Sequence, residues 1–195
     1  MAEESAVRNF KETVLSDEKF LLRRVEFDQR HFDGRWSRLT REVYTHGNAV
    51  ALLPYDPARG TVLLTRQIRF VTYLNGHPHP LIEVCAGMLD GDEQPEAAII
   101  REAREEIGCV IRNPRRIFDS FMSPGCLTER ISFFVATYGE ADRTGRGGGL
   151  ADEGEDIEVL EITLEAAVAM IGRGEIVDGK TILLLQWAAL HGIAD

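Results

Sequence analysis

Three glutamates lie within five consecutive positions near the end of the segment GMLDGDEQPEAAIIREAREEIGC, which runs from Gly87 to Cys109. They are Glu102, Glu105 and Glu106. Side chains three and four residues apart share one face of a helix, and at about 100° per residue these carboxylates fall within an arc of roughly 100°. Charges that close repel by roughly 3–4 kcal/mol per pair at an effective dielectric constant near 20. Oxygen ligands favour a hard divalent ion, so the spacing predicts a site for Mg²⁺ or Mn²⁺. The alternative is a solvated acidic helix face.

The same segment resembles the signature of the Nudix family: Gly, five residues, Glu, seven residues, then Arg-Glu-U-x-Glu-Glu-x-Gly-U, where U is a bulky aliphatic residue. Every fixed position is filled, by Gly87, Glu93, Arg101, Glu102, Glu105, Glu106 and Gly108. The two U positions hold Ala103 and Cys109, which are smaller than usual but apolar. The resemblance implies a Mg²⁺-dependent hydrolase, with Mn²⁺ as the other possible ion, that acts on a nucleoside diphosphate linked to another moiety.

The resemblance also implies roles within this segment. Glu102 and Glu106 are the first-choice metal ligands, Glu105 completes the site or bridges a second ion, and the backbone carbonyl of Ala86 is a further ligand. Arg101 precedes Glu105 by four residues, so it is expected to pair with that carboxylate, either as a catalytic element or as a surface ion pair. The family role of Glu93 is to brace the loop before the helix or to assist the metals.

Two segments outside the signature supply candidates for a general base. SPGCLTER (123–130) resembles an element of ADP-ribose and nucleotide-sugar pyrophosphatases and makes Glu129 one candidate, with a solvated loop glutamate as the alternative. GRGGGLADEGEDIE (145–158) offers Glu155, or its neighbour Glu153, as a metal ligand or base that a mobile lid carries into the site. The alternative for this second segment is a solvated linker.

Longer stretches, among them REVYTHGNA, LTRQIRF and GEIVDGKTILLLQW, resemble the bacterial GDP-mannose pyrophosphatase family from about residue 40 onward. The implied reaction is GDP-mannose plus water giving GMP and mannose 1-phosphate. The acidic loop is about two residues longer than the family pattern. The implied substrate contacts are Arg41, Glu42, Arg69, Met88, Glu129 and Lys180, with Lys19, where the family has an aromatic residue, reaching the site of a second subunit. The rivals are an ADP-ribose pyrophosphatase, giving AMP and ribose 5-phosphate, and a non-catalytic Nudix-fold ligand sensor.

Length and charge agree with a small-molecule enzyme. The 195 residues suit one domain with a small extension. The net charge of −10 argues against nucleic acid and anionic membranes as partners. The three cysteines show no metal-ligand spacing, and the N-terminal segment has no apolar signal region. These features predict a cytoplasmic protein with reduced thiols.

The order of the predicted elements favours an α+β or α/β sandwich. The Nudix resemblance implies an α+β protein of this kind, an α/β/α sandwich with a mixed sheet. Residues 1–45 are predicted to form an N-terminal antiparallel β extension that mediates a homodimer, as the family resemblance implies, and residues 46–195 the Nudix domain. In the signature helix, Pro95 suits the first turn, Gly108 the C-terminal end, and an apolar arc lies opposite the carboxylates at Ile99, Ile100, Ala103 and Ile107. Strands are predicted at 20–30, 35–44, 49–53, 61–70, 81–84, 115–121, 131–138 and 157–162, and further helices at 164–172 and 178–191.

Overall fold

A computed structural model describes residues 5–193, apart from the side chain of Glu153. The strands are β1 (Val7–Asp17), β2 (Leu21–Arg30), β3 (Trp36–Thr45), β4 (Ala49–Asp56), β5 (Thr61–Gln67), β6 (Leu81–Glu83), β7 (Cys85–Met88), β8 (Arg115–Ser120), β9 (Ile131–Thr137) and β10 (Glu158–Thr163). The helices are α1 (Phe70–Leu74), α2 (Pro95–Ile107), α3 (Leu164–Gly172) and α4 (Gly179–His191). These elements fall into two compact units, which among the described residues comprise 5–48 with 121–130 and 49–120 with 131–193.

The first unit is an antiparallel three-stranded sheet in the order β1-β2-β3. The β2–β3 hairpin closes between the strands predicted at 20–30 and 35–44, with the His31 amide donating to the Arg35 carbonyl over 2.7 Å. The segment 121–130 pairs with the end of β3, since the Tyr44 amide donates to the Cys126 carbonyl over 2.8 Å and the Thr128 amide donates to the Tyr44 carbonyl over 3.2 Å. Two distant parts of the sequence therefore form one unit.

The second unit is built on a seven-stranded mixed sheet in the order β10-β5-β4-β9-β8, with β6 paired to β5 and β7 to β4. β4 runs parallel to β9 and antiparallel to β7. Residues 50–53 of β4 are completely buried, as expected for a central strand covered on both faces. The main hydrophobic cluster lies between this sheet and α2, so the core itself positions the signature helix.

The predicted α+β class is confirmed by this architecture, and most predicted elements agree within a few residues. The predicted strand 61–70 is wrong beyond Gln67, because the chain must reverse there to bring Leu81 opposite Gln67, and α1 forms in the reversal. Strands β1 and β7 were not predicted. None of the helices in residues 5–193 combines the length and apolar composition that crossing a bilayer requires.

Helix α2 begins at Pro95 and ends at Ile107, and the capping residue Gly108 has a φ of 62°, the left-handed conformation that glycine adopts readily. The predicted apolar arc is partly wrong. Ile99, Ala103 and Ile107 are completely buried, but Glu106 lies on the buried side too, only 3% exposed, whereas Ile100 is only partly buried. One carboxylate thus enters the packed interior next to the core.

Candidate active site

The backbone of β7 lies directly against the carboxylates of α2. The Ala86 amide donates a hydrogen bond to Oε2 of Glu106 over 3.0 Å. A Cβ atom on Gly87 would collide with the carboxylate of Glu102. The first glycine of the signature is therefore required because no side chain fits between the strand and that carboxylate.

Two carboxylates of this site, those of Glu102 and Glu106, have raised pKa values. The pKa of Glu106 is raised to about 8. Burial is the largest cause and the neighbouring charges of Glu102 and Glu155 contribute, whereas the hydrogen bond from the Ala86 amide opposes the rise. Burial likewise raises the pKa of Glu102 against the opposing effect of Arg101, with Glu105 and Glu155 adding to the rise. Burial, with a smaller contribution from neighbouring negative charges, thus disfavours the ionised forms of Glu102 and Glu106, and Arg101 does not offset this effect fully.

Arg101 is the cation that the fold places at this cluster. Its Nη1 donates to Glu102 over 2.8 Å and to Glu105 over 3.1 Å, and its Nη2 donates to Glu93 over 2.9 Å and to the Met88 carbonyl over 3.2 Å. The predicted pairing of Arg101 with Glu105 is present, and it belongs to a wider network in which Glu93 also accepts the Asp90 amide over 3.3 Å. The planar guanidinium group of arginine carries five N–H donors, so it can bind all of these acceptors at once.

The glycine-rich segment before the acidic loop caps the C-terminal end of α2. The Gly148 amide donates to the carbonyl of Glu106 over 2.9 Å, the Gly149 amide to that of Glu105 over 3.1 Å, and the Gly145 amide to that of Gly108 over 3.0 Å. A Cβ atom on Gly147 would collide with the Glu106 carbonyl. The interpretation of residues 145–149 as a solvated linker is therefore wrong, because these amides satisfy helix carbonyls that otherwise lack partners.

Glu155 follows this docked segment and lies within electrostatic reach of the site. Its Oε2 accepts the Leu150 amide over 2.9 Å, which holds the side chain back against its own loop. Its charge raises the pKa values of both Glu102 and Glu106. The side chain of its competitor, Glu153, lies outside the described residues.

The donor chemistry of these residues fits a hard divalent cation. Glu102, Glu105, Glu106 and Glu155 offer only oxygen ligands, as Mg²⁺ and Mn²⁺ prefer. Among residues 5–193 they do not form a closed ligand shell, and Arg101 binds one oxygen each of Glu102 and Glu105. A divalent cation bound here would favour the ionised forms of Glu102 and Glu106, which burial and neighbouring negative charges disfavour.

Arg69 and Lys180, two of the predicted substrate contacts, meet at one buried carboxylate. The Nε of Arg69 donates to Glu83 over 2.7 Å, and Nζ of Lys180 donates to Glu83 over 3.3 Å and to Asp178 over 2.7 Å. Burial opposes the charge of Lys180, but Asp178 and Glu83 outweigh it, so the pKa of Lys180 is raised. Both cations are therefore charged in the neutral pH range.

The remaining predicted residues, apart from Met88 on β7, lie in the first unit. Glu129 is only 15% exposed and lies 3.8 Å from Nε2 of His46, so it is not a solvated loop side chain. Arg41 and Glu42 are exposed neighbours on β3, and adjacent strand residues point to opposite faces. Lys19 is exposed, with its Nζ 5.7 Å from the centre of the Phe20 ring.

Sequence reasoning missed three residues of these two units: Glu83, His46 and Cys85, whose thiol pKa is raised by burial and by the neighbouring Glu106. The sequence signal for Glu83 was its position as a glutamate within the apolar stretch LIEVCAG. A buried ion pair and the exposed end of a strand both give this pattern, so it does not identify a site residue. His46 and Cys85 carry no signal in their neighbouring residues, because their partners are distant in sequence.

Comparison with known proteins places the chain in a family. The NUDIX domain model matches residues 45–185, and the model of the GDP-mannose pyrophosphatase NudK N-terminal domain matches residues 6–44. The chain belongs to the Nudix family, whose members use divalent metal ions.

Within that family the chain is similar to proteins named GDP-mannose pyrophosphatase. It is 48% identical to the protein from Pectobacterium atrosepticum, with 92% of each chain covered, and 49% identical to that from Citrobacter koseri, with 91% of this chain and 92% of the relative covered. It is 45% identical to the protein from Escherichia coli O1:K1, with 95% of this chain and 96% of the relative covered.

Proposed function

We propose that this protein hydrolyses GDP-mannose to GMP and mannose 1-phosphate. The observation that carries the proposal is the convergence of Glu102 and Glu106 of α2 on the backbone of β7, inside a complete Nudix signature. The similarity to GDP-mannose pyrophosphatases along more than nine-tenths of the chain supports the choice of substrate.

In this reaction a water oxygen forms a bond to one phosphorus atom of the diphosphate. The bond from that phosphorus to the bridging oxygen breaks, and the bridging oxygen leaves with the other phosphate. The water loses its proton to a base, for which Glu155 and Glu129 are the two candidates. We favour Glu155, because it follows the glycine-rich segment that caps α2 and its charge contributes to the raised pKa values of Glu102 and Glu106.

The proposed ion is Mg²⁺, with Mn²⁺ as the substitute, held by Glu102, Glu105, Glu106, Glu155 and the carbonyl of Ala86. When bound, such an ion neutralises phosphate oxygens and lowers the pKa of water. Arg101 keeps Glu102 and Glu105 in place, and its bonds to Glu93 and the Met88 carbonyl anchor it to the preceding loop. These contacts give the carboxylates a fixed geometry, which transition-state stabilisation requires.

Binding of the substrate falls to the cationic and polar side chains outside α2. Arg69 and Lys180 are the proposed partners of the anionic part of the substrate, since a guanidinium and an ammonium group both bind phosphate. Met88, Arg41, Glu42 and Glu129 are the further proposed contacts, with Lys19 acting on the site of a second subunit.

A cytoplasmic homodimer is the proposed state, with residues 1–45 as the dimer-forming part. Along β1 the side chains of Phe10 and Val14 are 65% and 58% exposed, although both are large and apolar. Exposed apolar side chains on an outer strand are typical of a surface that another chain covers.

A substrate panel tests the proposed activity. GDP-mannose, ADP-ribose, GDP-glucose and UDP-glucose are compared by kcat/KM with Mg²⁺, and the products are identified by chromatography. We expect GDP-mannose to be the preferred substrate and GMP to be released. A higher kcat/KM for ADP-ribose would reassign the protein to the ADP-ribose pyrophosphatases, and the absence of turnover on every substrate would favour a ligand sensor.

A further inference from the structure

Glu83, the last residue of β6, is a buried carboxylate that two cations from different elements share. It is 4% exposed. Arg69, just before α1, donates to its Oε2 over 2.7 Å, and Lys180, in the first turn of α4, donates to its Oε1 over 3.3 Å. Each carboxylate oxygen thus serves one cation.

The backbone around Glu83 is fixed from both sides. The hydroxyl of Thr65 on β5 donates to the Glu83 carbonyl over 3.2 Å. The next amide, that of Val84, donates to the hydroxyl of Thr181 over 2.8 Å, and that hydroxyl donates in turn to Asp178 over 2.7 Å. The backbone that carries the Glu83 side chain is therefore held by the sheet and by the start of α4.

Both cations keep donors that Glu83 does not use. Arg69 is 42% exposed and binds Glu83 through Nε, and among residues 5–193 its Nη groups donate no hydrogen bond. Lys180 uses two of its three ammonium donors, on Glu83 and Asp178, as far as the described residues show. Glu83 lies two residues before β7, whose Ala86 amide donates to Glu106, so this pair lies beside the carboxylate cluster.

We propose that Glu83 is a positioning residue that holds Arg69 and Lys180 together so that their unused donors bind the diphosphate of the substrate. The inference rests on the proposed function. Two like charges separate unless an anion lies between them, and a preformed pair of cations loses less conformational freedom when the phosphates arrive. Glu83 itself does not touch the reacting atoms in this scheme.

The direction in which one substitution changes the affinity for GDP-mannose distinguishes a positioning role of Glu83 from a purely electrostatic one. Glu83→Gln keeps the size of the side chain and removes one negative charge close to the binding site of an anion. If Glu83 is only a charge, its removal tightens the binding of the anionic substrate. If Glu83 positions the two cations, the variant binds GDP-mannose about tenfold more weakly, which is the order expected for a lost charge-assisted hydrogen bond.

The experiment is calorimetric binding of GDP-mannose in EDTA, so that affinity is measured without turnover. Glu161→Gln is the matched control, because Glu161 is likewise shared by two arginines, Arg59 at 2.6 Å and Arg143 at 2.8 Å, but belongs to no candidate site. We expect the control to bind as the wild type does. In a Lys180→Met background the effect of Glu83→Gln should become smaller, since one of the two positioned cations is already gone.

Equal or tighter binding by Glu83→Gln overturns the inference. Should that variant not fold, Glu83→Asp replaces it: positioning predicts weaker binding because the shorter carboxylate draws the cations away, and wild-type affinity overturns the proposal. Wild-type protein that neither binds nor hydrolyses GDP-mannose overturns the proposed function and this inference with it. If the wild-type protein hydrolyses GDP-mannose and the Glu83 variants bind it as tightly as the wild type does, the inference is overturned and the proposed function stands.

Discussion

The amide of Gly148 donates a hydrogen bond to the main-chain carbonyl of Glu106 over 2.9 Å, so the glycine-rich segment is attached to the helix that carries the acidic cluster. Gly149 makes the equivalent bond to Glu105 over 3.1 Å. Seven residues after Gly148 comes Glu155, whose charge reaches Glu102 and Glu106. The segment that caps α2 is therefore also the segment that leads to Glu155, so the capping bonds help to place this side chain.

Gly147→Ala tests that arrangement. Gly147 has a φ of 66°, and an added Cβ would collide with the Glu106 carbonyl. We expect the variant to lose at least about tenfold in kcat, because the segment must move away from α2 and displace Glu155. The left-handed backbone adds a strain of about 1–2 kcal/mol to the free energy of folding. Steady-state kinetics and thermal unfolding measure the two effects.

Gly174→Ala is the control for backbone strain alone. Gly174 has a φ of 72°, and nothing lies within 4 Å of an added Cβ. It should lose a similar amount of stability and keep its kcat. Equal kcat values for the two variants would show that docking of the segment does not place Glu155.

Glu106→Gln removes the most deeply buried carboxylate of the cluster. We expect kcat to fall by at least about 10²-fold, comparable to the loss of a general acid–base or electrostatic group. The amide side chain keeps the volume, so the fold should remain, which circular dichroism checks. Near-wild-type turnover would mean that Glu106 is not a ligand of the catalytic ion.

The same substitution should stabilise the metal-free protein at alkaline pH. The pKa of Glu106 is raised from 4.5 to about 8 in the folded chain, so between these values the native state binds a proton that the unfolded chain has lost. The free energy of unfolding therefore falls as pH rises through this interval, and Gln removes that contribution. Above about pH 8 the variant should be more stable than the wild type by a margin on the order of a few kcal/mol.

Urea unfolding in EDTA at about pH 5 and about pH 9 measures this difference. The gap between Glu106→Gln and the wild type should widen from the lower to the higher pH. A gap of the same size at both would contradict the raised pKa.

Glu155→Gln tests whether the acidic loop takes part in catalysis. We expect a loss of about 10²-fold in kcat, because Glu155 is the loop carboxylate whose charge reaches the cluster. Glu158→Gln is the control, since Glu158 is exposed and pairs with Arg66 on the surface. If Glu129→Gln lowers kcat and Glu155→Gln does not, the base lies in the segment 121–130.

Arg101→Lys separates charge from geometry. Lysine keeps the positive charge but cannot reproduce a fork that binds Glu93, Glu102 and Glu105 together. We expect kcat to fall by about tenfold or more while the net charge is unchanged. Unaltered kinetics would mean that Arg101 only forms a surface ion pair, which is the alternative stated in the sequence analysis.

The acidic cluster was predictable from the sequence because its members share one helix. The positions of Glu102, Glu105 and Glu106 depend only on helix periodicity, and Pro95 and Gly108 mark the ends of that helix in the residue order itself. The complete signature likewise identified the family, which the comparisons confirm. Information of this kind is local, so a single sequence contains it.

Tertiary structure decided what depends on residues far apart in the chain. The pairing of Glu83 with Lys180 joins residues 97 positions apart, and the burial of Glu106 follows from the contact of α2 with β7. The docking of Gly148 on α2 contradicted an interpretation based on composition alone. Glycine-rich sequence specifies which backbone conformations are allowed, whereas only packing determines which carbonyls the freed amides reach.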